Sequence, residues 1–348
     1  MVRLAVQLAR CDRMRASLHP FLVNGRFGDP ALFVEVLHRR DAVLFDLGDL
    51  GALSTRDLLR IGHVFVSHMH MDHFVGFDAL LRVNVGREKC IHVTGPEGLC
   101  DRLCHKLHGY EWDLAQRYTS DLVFIATEIG ASGPQRSARF HFKERFEWRE
   151  EPCRGRPLDA GEGLRVEAVL LEHHGPCIGY SLAEAAHANI WPNRLAEMGL
   201  APGHWLKELK RAILSAGPDN QLIQLGENRA LPIGDLRHLV SISTGQKMAF
   251  VTDVADTPAN RLAIERICAA ADILFIEARF AAADAVQARA RAHLTTTAAG
   301  EIARAAQVRK VEPFHFSPRY DGEEERMLRE VREAFTGRTP SPEQAMQT

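Results

Sequence analysis

The stretch that most constrains this chain is residues 61–77, where an apolar run ends in a burst of histidines and one aspartate. Residues 64–66 predict a short buried strand, and the polar residues after it predict the loop at its C-terminal end, where α/β proteins commonly place their sites. Four metal-capable side chains lie within six positions there, namely His68, His70, Asp72 and His73. Residues i and i+2 of an extended segment point the same way, so one pair can bind one cation while the tighter turn offers a second pair. Two adjacent metal sites are therefore expected.

The donor chemistry of this loop favours zinc. Imidazole and carboxylate are ligands that zinc accepts, and no thiolate lies nearby to complete a closed structural site. A histidine-rich surface loop that binds nothing is the alternative, but such a loop would need neither a buried strand before it nor an aspartate between its histidines. The seven cysteines of the chain are odd in number and irregularly spaced, which predicts small buried residues or free thiols rather than a disulfide framework.

Composition narrows the class of protein and its partners. With 348 residues and 46% hydrophobic content, the chain can bury a substantial core. Its formal net charge of −2 gives no overall basic field, so a nucleic-acid partner would have to be held by a local patch. No signal-peptide pattern and no run of about 18 apolar residues is present, which predicts a cytoplasmic protein with no membrane partner.

Hydrophobic periodicity and turn residues predict alternating strands and helices around the histidine loop. Further strands are expected at residues 31–37, 42–47, 91–94, 138–143, 164–171, 248–253, 273–277 and 311–317. Helices are expected at residues 54–59, 77–85, 96–107, 206–214 and 298–307. Pro96 suits the first turn of its helix, and the alternation at 138–143 is typical of an exposed edge strand.

Several later strands end in a side chain that could serve a metal or an acid–base reaction. These side chains are His173, Asp253, Glu277 and His315. His173 is followed by Gly-Pro and a second strand, which repeats the arrangement at the first loop, so it is a third ligand candidate. Its neighbour His174 is the alternative ligand at that position.

Residues 185–245 interrupt the strand rhythm and predict an arm inserted between two halves of one fold. Counting Glu184 at its edge, six Lys/Arg are balanced by six Asp/Glu, so the arm is neutral. The expected organisation is one domain over residues 1–335 carrying this arm, and a disordered tail over residues 336–348, where two prolines lie among polar residues.

Taken in chain order, these motifs resemble ribonuclease Z, the metallo-β-lactamase-fold endonuclease that trims the 3′ end of precursor tRNA. The matching series is His68-x-His70-x-Asp72-His73, Glu172-His173 before Gly179-Tyr180, Asp253, Glu277, His293-Leu294-Thr295 and His315-Phe316-Ser317-Pro318-Arg319-Tyr320. The resemblance implies a four-layer αββα sandwich and a homodimer whose arms reach across to the partner's substrate.

The resemblance also implies how the site residues divide. One zinc ion would be held by His68, His70 and His173. The other would be held by Asp72, His73 and His315, with Asp253 bridging the two. Manganese or iron could replace zinc. Asp72 would help to activate the attacking water, while His293 with Glu277 would handle the proton on the leaving oxygen.

The chain departs from the family pattern at three points. The Gly-rich segment near the family's N-terminus has only a distant counterpart at residues 21–25, and the family's His-Glu-Ala-Thr motif reads Ile-Glu-Ala-Arg at residues 276–279. The arm keeps its glycines and a proline but lacks the family's basic charge. These departures bear on the substrate more than on the metals.

Three functions are compatible with these residues. The first is a precursor-tRNA endoribonuclease, and the second is a phosphodiesterase for small or cyclic phosphate esters, which the neutral arm favours. The third is an inactive binding subunit, which the complete ligand set opposes. In either enzyme a histidine oriented by a carboxylate supplies the proton that a leaving alkoxide needs. Candidate phosphate-binding residues are Ser317, Arg319 and Tyr320, the arginine through its two-pronged guanidinium.

Overall fold

The structure, a computed structural model, describes residues 17–153, 158–161, 163–226 and 229–337. By internal packing these residues form two compact units. The larger unit contains Ser17–Ala183 and the chain from Gln246 onward, and the smaller contains Glu184–Gly245. Most of the tail expected to be disordered lies outside the described residues, and its first residue, Thr336, is the last residue of a helix.

The strands are numbered in chain order. They are β1 (Leu18–Leu22), β2 (Leu32–Val36), β3 (Ala42–Phe45), β4 (Ile61–Phe65), β5 (Lys89–Pro96), β6 (Leu122–Gly130), β7 (Gly133–His141), β8 (Trp148–Glu150), β9 (Leu158–Asp159), β10 (Leu164–Glu172), β11 (Pro176–Glu184), β12 (His187–Ile190), β13 (Leu222–Gly226), β14 (Arg229–Pro232), β15 (Val240–Ser243), β16 (Lys247–Val251), β17 (Ile273–Glu277) and β18 (Val311–Phe314).

The helices are numbered in the same way. They are α1 (Thr55–Arg60), α2 (Phe77–Asn84), α3 (Leu99–Leu107), α4 (Pro192–Glu197), α5 (Trp205–Leu214), α6 (Ile233–Leu236), α7 (Pro258–Cys268), α8 (Ala285–Ala290), α9 (Thr296–Ala305) and α10 (Glu324–Thr336). Helices α1, α7 and α9 have side-chain N-caps. The hydroxyls of Ser54, Thr257 and Thr295, respectively, accept a backbone N–H of the first turn.

The larger unit is built on two sheets. The first has eight strands in the order β1 to β8, with β3, β4, β5 and β6 parallel to one another. The second has six strands in the order β18-β17-β16-β11-β10-β9, with β16, β17 and β18 parallel. Because parallel strands end at the same edge of a sheet, the loops after them bring distant parts of the sequence together.

Three separate hydrophobic cores define the layers of this unit. One joins the first sheet to α1, α2 and α3, and another joins the second sheet to α7, α9 and α10. Between the sheets, the rings of Phe45, Phe65, Tyr180 and Phe250 pack with centroids 5.4–5.9 Å apart. Burying rings of this size contributes about 1.5–3 kcal/mol each. The αββα sandwich implied by the resemblance is confirmed.

The smaller unit has a core of its own. It contains α4, α5, α6 and two strand pairs, β12 with β15 and β13 with β14, both antiparallel. Trp205, Leu209 and Ile213 on one face of α5 are buried against Ile223 and Leu236. The helix expected at 206–214 matches α5.

Several element predictions were wrong. Pro96 is the last residue of β5 rather than part of a helix. Helix α3 begins only at Leu99, after Gly98, which has a φ of +85°. The strand at 138–143 is β7, which is not an edge, because the three-residue β8 pairs with it. Strand β1 was not predicted.

Within the described residues, none of the helices combines the length and the apolar character needed to cross a bilayer.

Candidate metal centre

The loop after β4 is organised by Asp46, which follows β3 at the neighbouring strand end. The Asp46 carboxylate accepts the backbone N–H of Ser67 at 2.6 Å and the Ser67 hydroxyl at 2.8 Å. Its Oδ2 also lies 2.8 Å from His73 Nδ1. All three residues are fully buried. Asp46 has a φ of +57°, a left-handed conformation that non-glycine residues adopt at local cost and that clusters at functional sites. This carboxylate therefore fixes the loop and the orientation of His73.

The first group of donors comes from both sheets. His68 and His70 lie in the loop after β4, His173 follows β10, and Asp253 follows β16. Their donor atoms all lie within 4.8 Å of one another. The distance from Asp253 Oδ2 is 3.7 Å to His68 Nε2 and 3.6 Å to His173 Nε2. His173 Nδ1 donates to the carbonyl of Ala292 at 2.8 Å, which points Nε2 at the group.

The second group consists of Asp72, His73 and His315, whose donor atoms also lie within 4.8 Å of one another. Asp72 Oδ2 lies 3.7 Å from Nε2 of each histidine. Asp253 reaches this group too, with Oδ2 3.5 Å from His73 Nε2 and Oδ1 2.7 Å from His315 Nδ1. Asp253 and His315 have φ values of +42° and +59°. One carboxylate thus touches both donor groups.

The donors present fit divalent metal ions. His73 Nε2 is buried and has no hydrogen-bond partner, and an orphaned imidazole nitrogen inside a protein is costly unless something binds it. Its other nitrogen is held by Asp46, the carboxylate–histidine arrangement that orients metal-binding imidazoles. Nitrogen and oxygen donors without sulfur suit zinc, manganese or iron. Because the two groups share Asp253, the seven donors fall short of the four per ion that closed structural sites use.

The pKa values of the clustered side chains are set by their burial and by the charges they exert on one another. Burial and the neighbouring His73 lower the pKa of His68 to about 2. Burial also lowers the pKa of His173. For His73, burial opposes protonation, but Asp253 and Asp46 outweigh it and raise the pKa well above the ordinary value. Burial likewise opposes the charge on Asp253, but His315 and His73 hold its pKa well below the ordinary value.

Glu277 and His293 form a third group beside the other two. His293 Nδ1 lies 3.1 Å from both oxygens of Glu277, and Glu277 Oε1 accepts the backbone N–H of Val254 at 2.7 Å. The His293 ring packs 4.8 Å from that of His173. Burial lowers the pKa of His293, but the Glu277 carboxylate outweighs it and raises the pKa above the ordinary value. A protonated imidazole is therefore favoured next to the donor groups.

The sequence candidates for phosphate binding are not all directed at this cluster. Arg319 donates to Gln287 Oε1 and lies over the Phe280 ring. Tyr320 is buried and its hydroxyl donates to Asp284. The backbone N–H of Ser317 donates to the carbonyl of Arg279 at 3.0 Å. These contacts tie the 317–320 turn to the chain after β17 and engage Arg319 and Tyr320 away from the donors.

The alternative ligand His174 is exposed, and its ring packs 4.3 Å from His173, which faces the donors. Asp46 and Arg279 are charged residues at the centre that were not among the sequence candidates. Asp46 stands at the end of β3, so the same strand-end reasoning that singled out Asp253 could have found it. Arg279 contacts His315 and had no signal beyond its departure from the family motif.

Comparison with known proteins gives one consistent family. No protein-family model matches the chain. Ribonuclease Z of Deinococcus radiodurans is 33% identical over 319 residues, covering 85% of this chain and 93% of the relative. Ribonuclease Z of Nocardia farcinica is 30% identical over 293 residues, covering 81% of this chain and 79% of the relative.

Among solved structures, a metallo-β-lactamase-fold protein of Bacillus subtilis superposes with a TM-score of 0.52 at 13% identity, covering 90% of this chain and 91% of that one. This likeness supports the fold alone. The identity to the curated relatives, over most of both chains, shows the family. The chain belongs to the ribonuclease Z family of metallo-β-lactamase-fold enzymes.

Proposed function

We propose that this chain is a metal-dependent endoribonuclease that cuts precursor tRNA at its 3′ end. The observation that carries the proposal is the convergence of seven nitrogen and oxygen donors, scattered from residue 68 to residue 315, into two adjacent groups that share Asp253. The relatives named ribonuclease Z support the same reaction.

The donors divide between two zinc ions in this proposal. His68, His70 and His173 would hold the first, and Asp72, His73 and His315 would hold the second, with Asp253 bridging. The support is the 3.5–3.7 Å spacing between the carboxylate oxygens of Asp253 and Asp72 and the Nε2 atoms around them. Manganese or iron could occupy the same donors.

When bound, two such cations would lower the pKa of a water so that hydroxide is available as a nucleophile near neutral pH. They would also neutralise negative charge on the phosphodiester. The residues of the chain place that water. The Asp72 side chain is 38% exposed, whereas those of His73 and Asp253 are 0% and 4% exposed. Asp72 is therefore the carboxylate that solvent can reach, and its second oxygen can accept a proton from the attacking water.

His293 is assigned to the leaving oxygen. Its Nδ1 is held by Glu277, so its Nε2 is the nitrogen left to donate a proton. The Glu277 carboxylate raises the pKa of His293, which favours the protonated form that can donate. General acids positioned in this way typically contribute about 10²–10⁴ in rate.

A homodimer, which the family resemblance implies, and a cytoplasmic location, which the sequence predicts, complete the proposal. The arm, residues 185–245, would contribute to tRNA binding through shape and local contacts, because its positive and negative charges nearly balance. Sedimentation velocity across a range of concentrations tests the dimer.

The test is cleavage of a precursor tRNA with a 3′ extension, with the cut position mapped, in parallel with hydrolysis of bis(p-nitrophenyl) phosphate. Asp72→Ala and His70→Ala should abolish both activities while the thermal unfolding transition persists. Asp78→Asn is a matched control, because Asp78 pairs with Lys106 on the surface of the same unit.

Hydrolysis of small diesters without cleavage of precursor tRNA would overturn the RNA substrate. Repeating both assays at several salt concentrations separates the two substrates further, since binding through RNA phosphates weakens steeply with salt.

A further inference from the structure

Arg279 brings a permanent positive charge to one of the donor groups of the candidate metal centre. It follows β17 two residues after Glu277, and its Nη1 lies against His315 Nε2. That histidine nitrogen also lies 3.7 Å from Asp72 Oδ2. The guanidinium of Arg279 therefore lies directly against the second donor group, next to His315.

The charge of Arg279 is not neutralised by a carboxylate partner. Among the residues that the structure describes, Arg279 forms no ion pair, and the residue is half-buried. By contrast, Arg319 is engaged by Gln287 and the Phe280 ring. Arg279 is thus the arginine available to a ligand at the donors.

His315 Nδ1 is held by Asp253, so the Arg279 guanidinium and a divalent cation at the second donor group would compete for the lone pair of His315 Nε2. The two positive charges would also repel each other. Their repulsion is strong because both charges lie in a partly desolvated site, where the effective dielectric constant is well below that of water. An anion bound between the guanidinium and the cation screens their repulsion and is attracted by both positive charges. A phosphodiester suits this position, since two of its oxygens match the paired N–H groups of arginine while another faces the cation.

We propose that Arg279 binds the substrate phosphate and makes the binding of that phosphate and of the second cation mutually dependent. The inference rests on the proposed function, because it takes the ligand to be a phosphodiester. By thermodynamic linkage, if the phosphate strengthens binding of the cation at the Asp72, His73 and His315 group, the cation strengthens binding of the phosphate by the same factor. Arg279 is the origin of this coupling, because without its charge the second cation would bind well alone.

The test measures metal affinity rather than turnover. Mn²⁺ is titrated into metal-free protein and free Mn²⁺ is followed by electron paramagnetic resonance, with and without saturating dimethyl phosphate. In the wild type the diester should tighten the weaker Mn²⁺ site by about tenfold, within the usual range for coupled sites. In Arg279→Met that site should bind more tightly without the diester, and the gain on adding it should fall below about threefold.

Two further variants complete the design. Arg279→Lys keeps a charge but loses the two-pronged geometry, so it should retain part of the coupling. Arg309→Met is the matched control, because Arg309 lies at the opposite end of the same parallel strands and pairs with Asp272. It should behave as the wild type.

Equal coupling in Arg279→Met and the wild type would overturn the inference, as would an unchanged Mn²⁺ affinity without the diester. The proposed function fails separately, if the wild-type enzyme does not cut precursor tRNA. A circular dichroism melt of each variant confirms that the compared proteins are folded.

Discussion

The two sheets of the larger unit supply the donors of the candidate metal centre in different ways. The first sheet provides four donors from a single loop of six residues, fixed from behind by Asp46. The second sheet provides His173, Asp253 and His315, one at the end of each of three strands. The first half is local and held by its own hydrogen bonds, whereas the second half exists only when the sheet is assembled. The centre therefore depends on a short motif for its ligands and on long-range packing for its geometry.

Asp253→Asn is the change expected to have the largest effect, because it removes the carboxylate that lies against both donor groups. It lies within 3.7 Å of four histidines. We expect kcat/KM on precursor tRNA to fall by about 10⁴ or more, since a two-cation clamp cannot form without its bridge. The measurement is cleavage rate together with metal content per chain.

Asp256→Asn is the control for this substitution, because Asp256 lies three residues further along the chain and pairs with Arg261. Wild-type metal content in Asp253→Asn would contradict the bridging role.

His293→Ala tests whether the second sheet also supplies the acid. We expect kcat to fall by about 10²–10⁴ with little change in metal content, because His293 contacts the ligands but belongs to the proton-transfer pair. A loss of activity confined to substrates with a poor leaving group would identify the step. An equal loss on bis(p-nitrophenyl) phosphate, whose leaving group needs no proton, would argue against an acid role.

Glu277→Gln should move the pH profile rather than remove activity outright. The raised pKa of His293 depends on Glu277, so the wild-type rate should fall as pH rises through that pKa. In the variant burial remains and the carboxylate charge is gone, so the pKa falls and the decline shifts to lower pH. The ion pair between His293 and Glu277 also stabilises the folded state. Its contribution to the free energy of unfolding is complete below the pKa of an unfolded-state histidine, near 6.5, and is lost as pH rises through the raised pKa of His293 in the folded protein. Coincident profiles for the two proteins would exclude the pair.

The difference between the halves also explains how much of the centre was predictable. The donors in the loop of the first sheet could be predicted because they lie close together in the sequence. The donors of the second sheet were found by asking what stands at each strand end, a rule that works because parallel strands finish at one edge. Asp46 was overlooked because an aspartate after a strand also suits an ordinary turn. Arg279 was overlooked because no local pattern distinguishes an arginine that faces a metal site from one that faces solvent.

The errors in the fold have similar physical causes. Pro96 can begin a helix or end a strand, and only the pairing of β5 with β6 through Pro96 decides between them. Residues 138–143 alternate as an edge strand does, but β8 is three residues long, too short for periodicity to detect. The αββα layers were expected from the family series, since strand periodicity does not specify how sheets stack.

Asp46→Asn tests the support of the first half. Asparagine keeps the volume but accepts less strongly from Ser67 and His73, and outer-shell carboxylates of this kind usually contribute about 10–100-fold in metal affinity or activity. We expect a loss in that range, smaller than for Asp253, measured by chelator competition and cleavage rate. An effect as large as that of Asp253→Asn would mean that the loop collapses without its anchor, and the contrast between the two halves would not hold.

Ser67→Ala should have the smallest effect of the series. Ser67 is fully buried and its hydroxyl donates to Asp46 at 2.8 Å, while its backbone N–H makes a second bond to the same carboxylate that the substitution leaves intact. Losing one such hydrogen bond costs about 1–3 kcal/mol of unfolding free energy. We expect a lowered urea midpoint with metal affinity changed by less than about threefold, because the remaining contacts still orient His73. If Ser67→Ala bound metal as weakly as Asp46→Asn, the Ser67 hydroxyl rather than the Asp46 carboxylate would be the group that orients the loop.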